Sequence, residues 1–156
     1  MRYSIDTSAL LDGWIRYYPP DIFPGLWRRL EALVATGDLA AIDEVLRELE
    51  KKDDDVHAWA KRQEGMWVAI DDDVQAAVAE ILGQFEQLAG ELKNRSFADP
   101  WVIALAQVHG CTVVTGEQPS GKLTRPRIPD VCDALGIRCI TLLELIREEQ
   151  WVFGGA

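Results

Sequence analysis

The sequence predicts an α/β fold in which a short, mostly parallel β-sheet is flanked by helices in a three-layer sandwich. Short apolar runs alternate with amphipathic helical segments, which is the order of a sheet whose strands are joined by helices. The run Cys111–Thr115 lacks polar alternation, as is typical of a parallel strand buried on both faces. The chain has 156 residues, 48% of them hydrophobic, so we expect a single domain spanning residues 1–156 around one core.

The N-terminal part predicts one strand and two helices. Residues 2–5 are predicted to form a short first strand that ends at Asp6. We expect Thr7 or Ser8 to cap the next helix, because a hydroxyl oxygen can accept a free N–H group of the first turn. A proline pair stops this helix, and a second helix is predicted over residues 22–35, where a glycine supplies the terminal turn.

The middle of the chain predicts a buried strand followed by more helices. Leu39–Ile42 is an apolar run suited to a strand, and Asp43 is expected to cap the helix after it. Asp53–Asp55 begin another helix, whereas Trp67–Ile70 fits either extended chain or a strand. The longest periodic segment, over residues 71–95, predicts a helix of about six turns.

The C-terminal part predicts two strands with helices between them. Ser96–Pro100 opens a helix, because proline suits the first turn, where its missing N–H costs nothing. The strand over 111–115 follows, and then a loop rich in glycine and proline over 116–129. A short helix from Asp130 leads to a strand over 138–140 and a final helix.

The charge of the chain limits how it can meet a nucleic acid. It has 16 Lys and Arg against 26 Asp and Glu, a formal net charge of −10. Proteins that hold nucleic acid by its phosphates usually present a basic face, so this chain needs either a local basic patch or cations that reverse the sign of an acidic pocket.

The sequence also predicts where the protein resides. No apolar run approaches the roughly 20 residues of a membrane span, and an acid interrupts the N-terminus before any secretory signal could form. We therefore expect no membrane contact. Three cysteines form a sparse, odd set, which is typical of thiols in a reducing cytoplasm.

Four acidic residues stand close to predicted apolar elements: Asp6, Glu48, Asp99 and Glu117. Three of them lie beside a strand end or a helix start, and Glu48 lies about a turn and a half into the helix after the second strand. Each also fits a simpler role, as a cap, a solvated helix residue or a loop acid. Ligands of parallel sheets bind at the carboxyl ends of the strands, so these acids can converge there. Converging carboxylates repel one another unless protons or divalent cations neutralise them, and hard oxygen ligands select Mg²⁺ or Mn²⁺.

Several other sites are disfavoured. No GxGxxG motif follows the first strand, and no P-loop is present. An aspartyl phosphatase would need a second Asp two residues after Asp6, where Ser8 stands. His57 and His109 lack the spacing of zinc ligands.

Four segments of the chain resemble the PIN-domain family of metal-dependent ribonucleases, which includes VapC-type toxins. They occur in the family's order over most of the chain, and they are Tyr3–Leu11 (YSIDTSALL), Val45–Leu49 (VLREL), Ala98–Ala106 (ADPWVIALA) and Val113–Glu117 (VVTGE). The resemblance implies a short parallel sheet between helices, in agreement with the order of elements above.

The resemblance implies that four catalytic acids hold Mg²⁺ or Mn²⁺: Asp6, Glu48, Asp99 and Glu117. Glu44 is an alternative to Glu48 for the mid-chain acid. Glu117 stands where the family more often has Asp, and Gly116 replaces a polar neighbour. The longer glutamate side chain can still reach a metal directly or through water.

Five further residues are expected to bind the substrate. Thr7 or Ser8 can orient Asp6 or a metal-bound water, or serve only as caps. The other three are basic residues in the loop after Glu117, where they either contact phosphates or are simply solvated: Lys122, Arg125 and Arg127.

The resemblance implies a cytoplasmic endoribonuclease that hydrolyses RNA phosphodiester bonds as the toxin of a type II toxin–antitoxin pair. Its partner would be a small antitoxin that inserts an arginine into the acidic pocket. Homodimers are common in the family. The alternative is a non-catalytic PIN-like module that binds a protein or RNA partner, its site weakened at Gly116 and Glu117.

Overall fold

The computed structural model describes residues 1–89 and 97–154. Within them, five parallel strands form one sheet in the order β3-β2-β1-β4-β5. The strands are β1 (Tyr3–Ile5), β2 (Leu39–Ile42), β3 (Trp67–Val68), β4 (Thr112–Val114) and β5 (Cys139–Ile140). The α/β fold class is confirmed, and the segment from Trp67, which fitted either extended chain or a strand, contributes an edge strand.

Eight α-helices connect and cover these strands in the described part of the chain. They are α1 (Thr7–Leu11), α2 (Pro24–Ala35), α3 (Asp43–Lys52), α4 (Asp54–Lys61), α5 (Asp72–Gln84), α6 (Asp99–His109), α7 (Ile128–Leu135) and α8 (Leu142–Glu148). A π-helical segment, Asp12–Tyr17, follows α1, and a 3₁₀ turn, Glu86–Ala89, follows α5. None of the described helices is long and apolar enough to cross a membrane.

The central strand determines where a site can form. β1 pairs with β2 on one side, with Tyr3 opposite Leu39, and with β4 on the other, with Ile5 opposite Val114. The strand order therefore reverses direction between β1 and β4. In open parallel sheets, ligands bind outside the carboxyl ends of the strands at such a reversal. Asp6 lies at this point, since its N–H donates to the carbonyl of Val114 (2.8 Å).

Both faces of the sheet are covered, as the unbroken apolar runs predicted. Every residue of β1 and β2 is buried, as are Val113 and Val114 of β4. α6 packs against β1 and β2, and α5 packs against α6. The core therefore fixes the carboxyl ends of the central strands from both sides.

Two predicted helix caps are wrong. Thr7 is the first residue of α1, and Asp6 occupies the N-cap position without capping through its side chain. Asp43 is likewise the first residue of α3, after Ile42. At α1 the reason is physical, because the Thr7 and Ser8 hydroxyls donate to buried acids instead of accepting from the helix.

The six-turn helix predicted over residues 71–95 is also wrong. Asp71 caps α5 by accepting from the N–H of Val74 (2.8 Å), but the helix ends at Gln84, and Phe85 is not helical (φ −130°, ψ 66°). Gly83 weakens the last turn, because glycine lowers helix propensity. The predicted continuation over 90–95 lies outside the described residues.

Candidate metal centre

Three acidic side chains from distant parts of the sequence meet at the reversal of the sheet. Asp6 follows β1, Asp99 is the first residue of α6, and Glu117 lies beyond the end of β4. One carboxylate oxygen from each lies within 4.8 Å of the others. Asp6 and Asp99 are 1% and 6% exposed, so two of these charges have almost no solvent around them.

Two hydroxyl groups hold the carboxylate of Asp6 in one orientation. Ser8 Oγ (2.5 Å) and Thr115 Oγ1 (3.0 Å) both donate to its Oδ2 atom. Its Oδ1 atom is buried and accepts no hydrogen bond from the described residues. A buried anionic oxygen without a donor is costly, and a cation is the ligand that removes this cost. The site therefore fits a metal ion.

The surroundings of Asp6 disfavour its charged form. Burial, followed by the nearby charge of Glu117, raises its pKa to about 6, and Glu48 adds to the rise. The hydrogen bonds from Ser8 and Thr115 oppose this shift only in part. A bound cation would have the opposite effect, because an adjacent positive charge favours the ionised carboxylate.

Glu48 is the fourth predicted acid. It is 9% exposed on α3, and its Oε1 accepts a hydrogen bond from Thr7 Oγ1 (2.9 Å). It lies outside the group of three oxygens within 4.8 Å, but its charge acts on Asp6. The alternative, Glu44, instead pairs with Arg47 on the same helix. Of the two, Glu48 is therefore the residue beside the acidic group.

Glu117 reaches the other acids from a loop that backbone groups hold in place. Its Oε2 accepts from the N–H of Ile128 at the start of α7 (3.0 Å), and its own N–H donates to Thr115 Oγ1 (3.1 Å). The sequence placed this acid correctly near the others but gave no sign of the contact with α7, which lies eleven residues further along the chain.

The structure explains why position 116 is a glycine, which the sequence alone does not indicate. A Cβ atom at this position would lie 2.5 Å from Asp12 Oδ2 and 3.0 Å from the carbonyl of Ser8. The glycine lets its N–H donate to Ser8 Oγ (2.9 Å), so it braces one of the hydroxyls that orient Asp6. Thr115, the other hydroxyl, was also missed, although it lies in the segment that resembles the family.

The three predicted basic residues lie in the loop between β4 and α7, and all are exposed: Lys122, Arg125 and Arg127. None of them forms an ion pair with a described acid. Their side chains are therefore available to an outside anion. Whether they bind a substrate stays a prediction.

Asp130 holds this loop in shape. Its carboxylate accepts from the N–H groups of Ser120 (2.9 Å), Gly121 (3.0 Å) and Arg127 (2.8 Å). Burial acts to raise the pKa of Asp130, but these hydrogen bonds outweigh it and leave the pKa below its ordinary value. A single carboxylate thus closes the loop that carries the basic residues.

The acidic group offers only oxygen ligands. It is the only set of three or more potential ligands found among the described residues, and neither His57 nor His109 belongs to it. Carboxylate oxygens suit Mg²⁺ and Mn²⁺ rather than the softer metals that thiolates select.

Two comparisons place this architecture among known proteins. A family model described as "Domain of unknown function (DUF4411)" matches residues 3–153. The crystal structure of VapBC2 from Rickettsia felis, bound to a DNA fragment from its promoter, matches with a TM-score of 0.53 and 19% sequence identity. The match covers 90% of this chain and 98% of the other. No curated protein has a significantly similar sequence. The VapC-like fold expected from the sequence is confirmed.

Proposed function

The chain belongs to the DUF4411 family. From its VapC-like fold and its acidic group we propose that it is a divalent-metal-dependent endoribonuclease. The reaction is hydrolysis of RNA phosphodiester bonds, and the biological role is that of the toxin in a type II toxin–antitoxin pair. The observation that carries the proposal is the group formed by Asp6, Asp99 and Glu117, with the buried Oδ1 atom of Asp6 lacking a donor among the described residues.

In this proposal the four acids contribute to the metal site in two ways. Asp6 and Asp99 bind Mg²⁺ or Mn²⁺ directly, while Glu48 and Glu117 complete the site directly or through water. A divalent cation bound there lowers the pKa of water and stabilises negative charge on the phosphate. Glu117 is the least buried of the four, and we assign to it the acceptance of a proton from the attacking water.

Two hydroxyls support this arrangement. Ser8 and Thr7 donate to Asp6 and Glu48, respectively, and we assign to both the orientation of these carboxylates. A direct contact of either with RNA stays a prediction. Oriented carboxylates matter because a metal site tolerates little error in ligand position.

The basic residues of the loop supply the local attraction that a chain of net charge −10 needs for RNA. We assign phosphate binding to three of them: Lys122, Arg125 and Arg127. The loop begins at Glu117 and ends at α7, whose first N–H donates to the Glu117 carboxylate (3.0 Å), so both ends of the loop lie beside the acidic group.

The partner we propose is a small antitoxin that covers the site. An arginine from such a protein would bind the carboxylates in place of the cation and neutralise them, since charge-assisted pairs of this kind are strong. We also propose that the protein works in the cytoplasm and forms a homodimer.

The alternative function, a non-catalytic module, depends on a site weakened at Gly116 and Glu117. The Glu117 carboxylate lies within 4.8 Å of those of Asp6 and Asp99, so the exchange of Asp for Glu keeps an acid in the group. This observation supports the enzyme over the module.

Calorimetric titration with Mn²⁺, followed by incubation with a mixed RNA pool, tests the proposal. We expect the wild type to bind Mn²⁺ and to cleave RNA until the metal is chelated. Asp99→Asn should lose both properties, whereas Asp73→Asn, which changes an exposed acid on α5, should keep both. Metal binding without cleavage of any RNA would favour the non-catalytic module, and cleavage by Asp99→Asn at the wild-type rate would exclude the proposed site.

A further inference from the structure

A cavity of about 260 Å³ opens beside the acidic group, and the proposed reaction does not use it. The π-helical segment lines one side with Asp12 and Tyr17, and Tyr18 follows them. Thr141 and Leu142, at the start of α8, line the opposite side. A volume somewhat below the roughly 300 Å³ of small-molecule pockets suits one flat ring system rather than a large ligand.

The wall of this cavity is continuous with the proposed metal site. Thr115 lines the cavity and donates its hydroxyl to Asp6 Oδ2 (3.0 Å). Gly116 lines it as well and donates its N–H to Ser8 Oγ (2.9 Å). Thr115 and Gly116 therefore form the boundary between the cavity and the proposed metal site.

Irregular backbone shapes the cavity. The helix that starts at Thr7 widens into a π-helix at Asp12, and π-helical turns frequently occur at functional sites. Gly13 lets this segment pack closely against the start of α8, because a Cβ atom there would lie 2.8 Å from Leu142 Cδ2. The sequence predicted a regular helix through this region, so the π segment is a departure that local propensity does not explain.

The lining combines an aromatic ring with an acceptor of hydrogen bonds. Tyr17 is 61% exposed although its ring is large and apolar, so it offers a face on which a planar group can stack. Among the described residues, the Asp12 carboxylate pairs with Arg16 at 3.8 Å, and the Arg16 side chain is 69% exposed. An ion pair this exposed is weak, so the Asp12 carboxylate can still accept hydrogen bonds from a ligand.

We propose that this cavity binds the nucleobase next to the cleaved phosphodiester, and that it prefers guanine; the position of the base relative to the cleaved bond rests on the proposed function. A carboxylate only accepts hydrogen bonds. Guanine presents two neighbouring donors on one edge, N1–H and the 2-amino group, so it offers the Asp12 carboxylate more hydrogen-bond donors than any other base does. Uracil presents a single N–H between two carbonyl oxygens that a carboxylate repels. Stacking on Tyr17 holds any base, and Asp12 selects among them.

Binding of the four nucleoside 5′-monophosphates to the full chain in Mn²⁺ tests the cavity without requiring cleavage. The phosphate and ribose are common to all four, so differences in affinity report the base. We expect the guanine nucleotide to bind most tightly and the uracil nucleotide most weakly. Tyr17→Ala should weaken binding of the guanine nucleotide about tenfold, the scale of a lost stacking contact. Tyr17→Phe should keep the affinity, and Asp12→Asn should reduce the guanine preference.

Ile15→Ala is the matched control, because Ile15 is 55% exposed on the same π-helical segment but does not line the cavity. It should bind all four nucleotides as the wild type does. Equal affinity of the wild type and Tyr17→Ala for the guanine nucleotide would overturn the proposal, as would equal binding of guanine and uracil nucleotides by the wild type. If nucleotide binding behaves as expected but no RNA is cleaved, the base pocket stands and the nuclease proposal falls.

Discussion

Asp6 carries its charge where water scarcely reaches it, and this has a consequence for stability. Its pKa rises from an ordinary 3.8 to about 6, through burial first and then through the neighbouring acids. The folded protein therefore binds a proton at Asp6 more tightly than the unfolded chain does. The contribution of Asp6 to the free energy of unfolding is therefore fully present below about pH 4 and is lost as the pH rises through 6.

Asp6→Asn should make the metal-free protein more stable at neutral pH, because the amide removes a buried charge. The rise to about 6 corresponds to about 3 kcal/mol. The gain in the free energy of unfolding should approach this value at pH 7.5 and shrink toward pH 4. Urea denaturation with a chelator, at several pH values, measures it. A gain that stays constant with pH would contradict the assigned cause.

Substitution of Thr7 tests whether its hydrogen bond supports a second acid, Glu48. Its hydroxyl donates to the buried Glu48, and hydrogen bonds to charged groups contribute about 1.5–3 kcal/mol. We expect Thr7→Val, which keeps the shape, to lower the free energy of unfolding by that amount and to weaken Mn²⁺ binding. Thr7→Ser should restore both. Normal Mn²⁺ affinity in Thr7→Val would separate Glu48 from the metal site.

The elements of this fold were predicted unequally well from sequence, and the reason is where their interactions come from. β2 was placed at Leu39–Ile42, its observed bounds, because a continuous apolar run is a local signal. The start of α1 differs from the prediction because the Thr7 and Ser8 hydroxyls donate to Glu48, 41 positions away, and to Asp6, two positions away, instead of capping the helix. The contact of Gly116 with Asp12 likewise exists only after folding.

The sequence predicts the acids of the site only through a combination of weak signals. Asp6, Asp99 and Glu117 each fit a simpler role on spacing alone, and the parallel sheet made their convergence an expectation. The sequence does not indicate the supporting partners Thr115 and Ile128, because a strand-end threonine and a backbone N–H look the same in sequence whether or not an acid lies nearby.

The loop between β4 and α7 should lose its shape without Asp130. Asp130→Ala removes the acceptor of three backbone N–H groups, so the basic residues should no longer be held in one arrangement. We expect weaker binding of single-stranded RNA and unchanged Mn²⁺ affinity, measured on an Asp99→Asn background for RNA and on the single variant for Mn²⁺. Asp133→Asn, an exposed acid on α7, is the control. Unchanged RNA affinity would mean that the loop does not hold the substrate.

At the scale of the whole molecule, a net charge of −10 means that RNA is repelled almost everywhere. Attraction must then come from a few basic side chains. The salt dependence of binding reports how many phosphates these side chains contact. Three phosphate contacts on a single strand predict that log affinity falls with log salt with a slope of about −2, at about −0.7 per contact. Fluorescence anisotropy with the Asp99→Asn protein measures this slope.

Charge reversal of the basic loop residues tests whether they account for this slope. Arg125→Glu combined with Arg127→Glu should reduce the magnitude of the slope below 1, because one of the three proposed contacts, Lys122, then remains. Reversal of Lys51 and Lys52, which are exposed at the end of α3, should leave it unchanged. A wild-type slope far steeper than −2, or a slope that survives reversal in the loop, would show that RNA is held by another part of the surface. The acids would then have to be reached from a different direction than the one proposed.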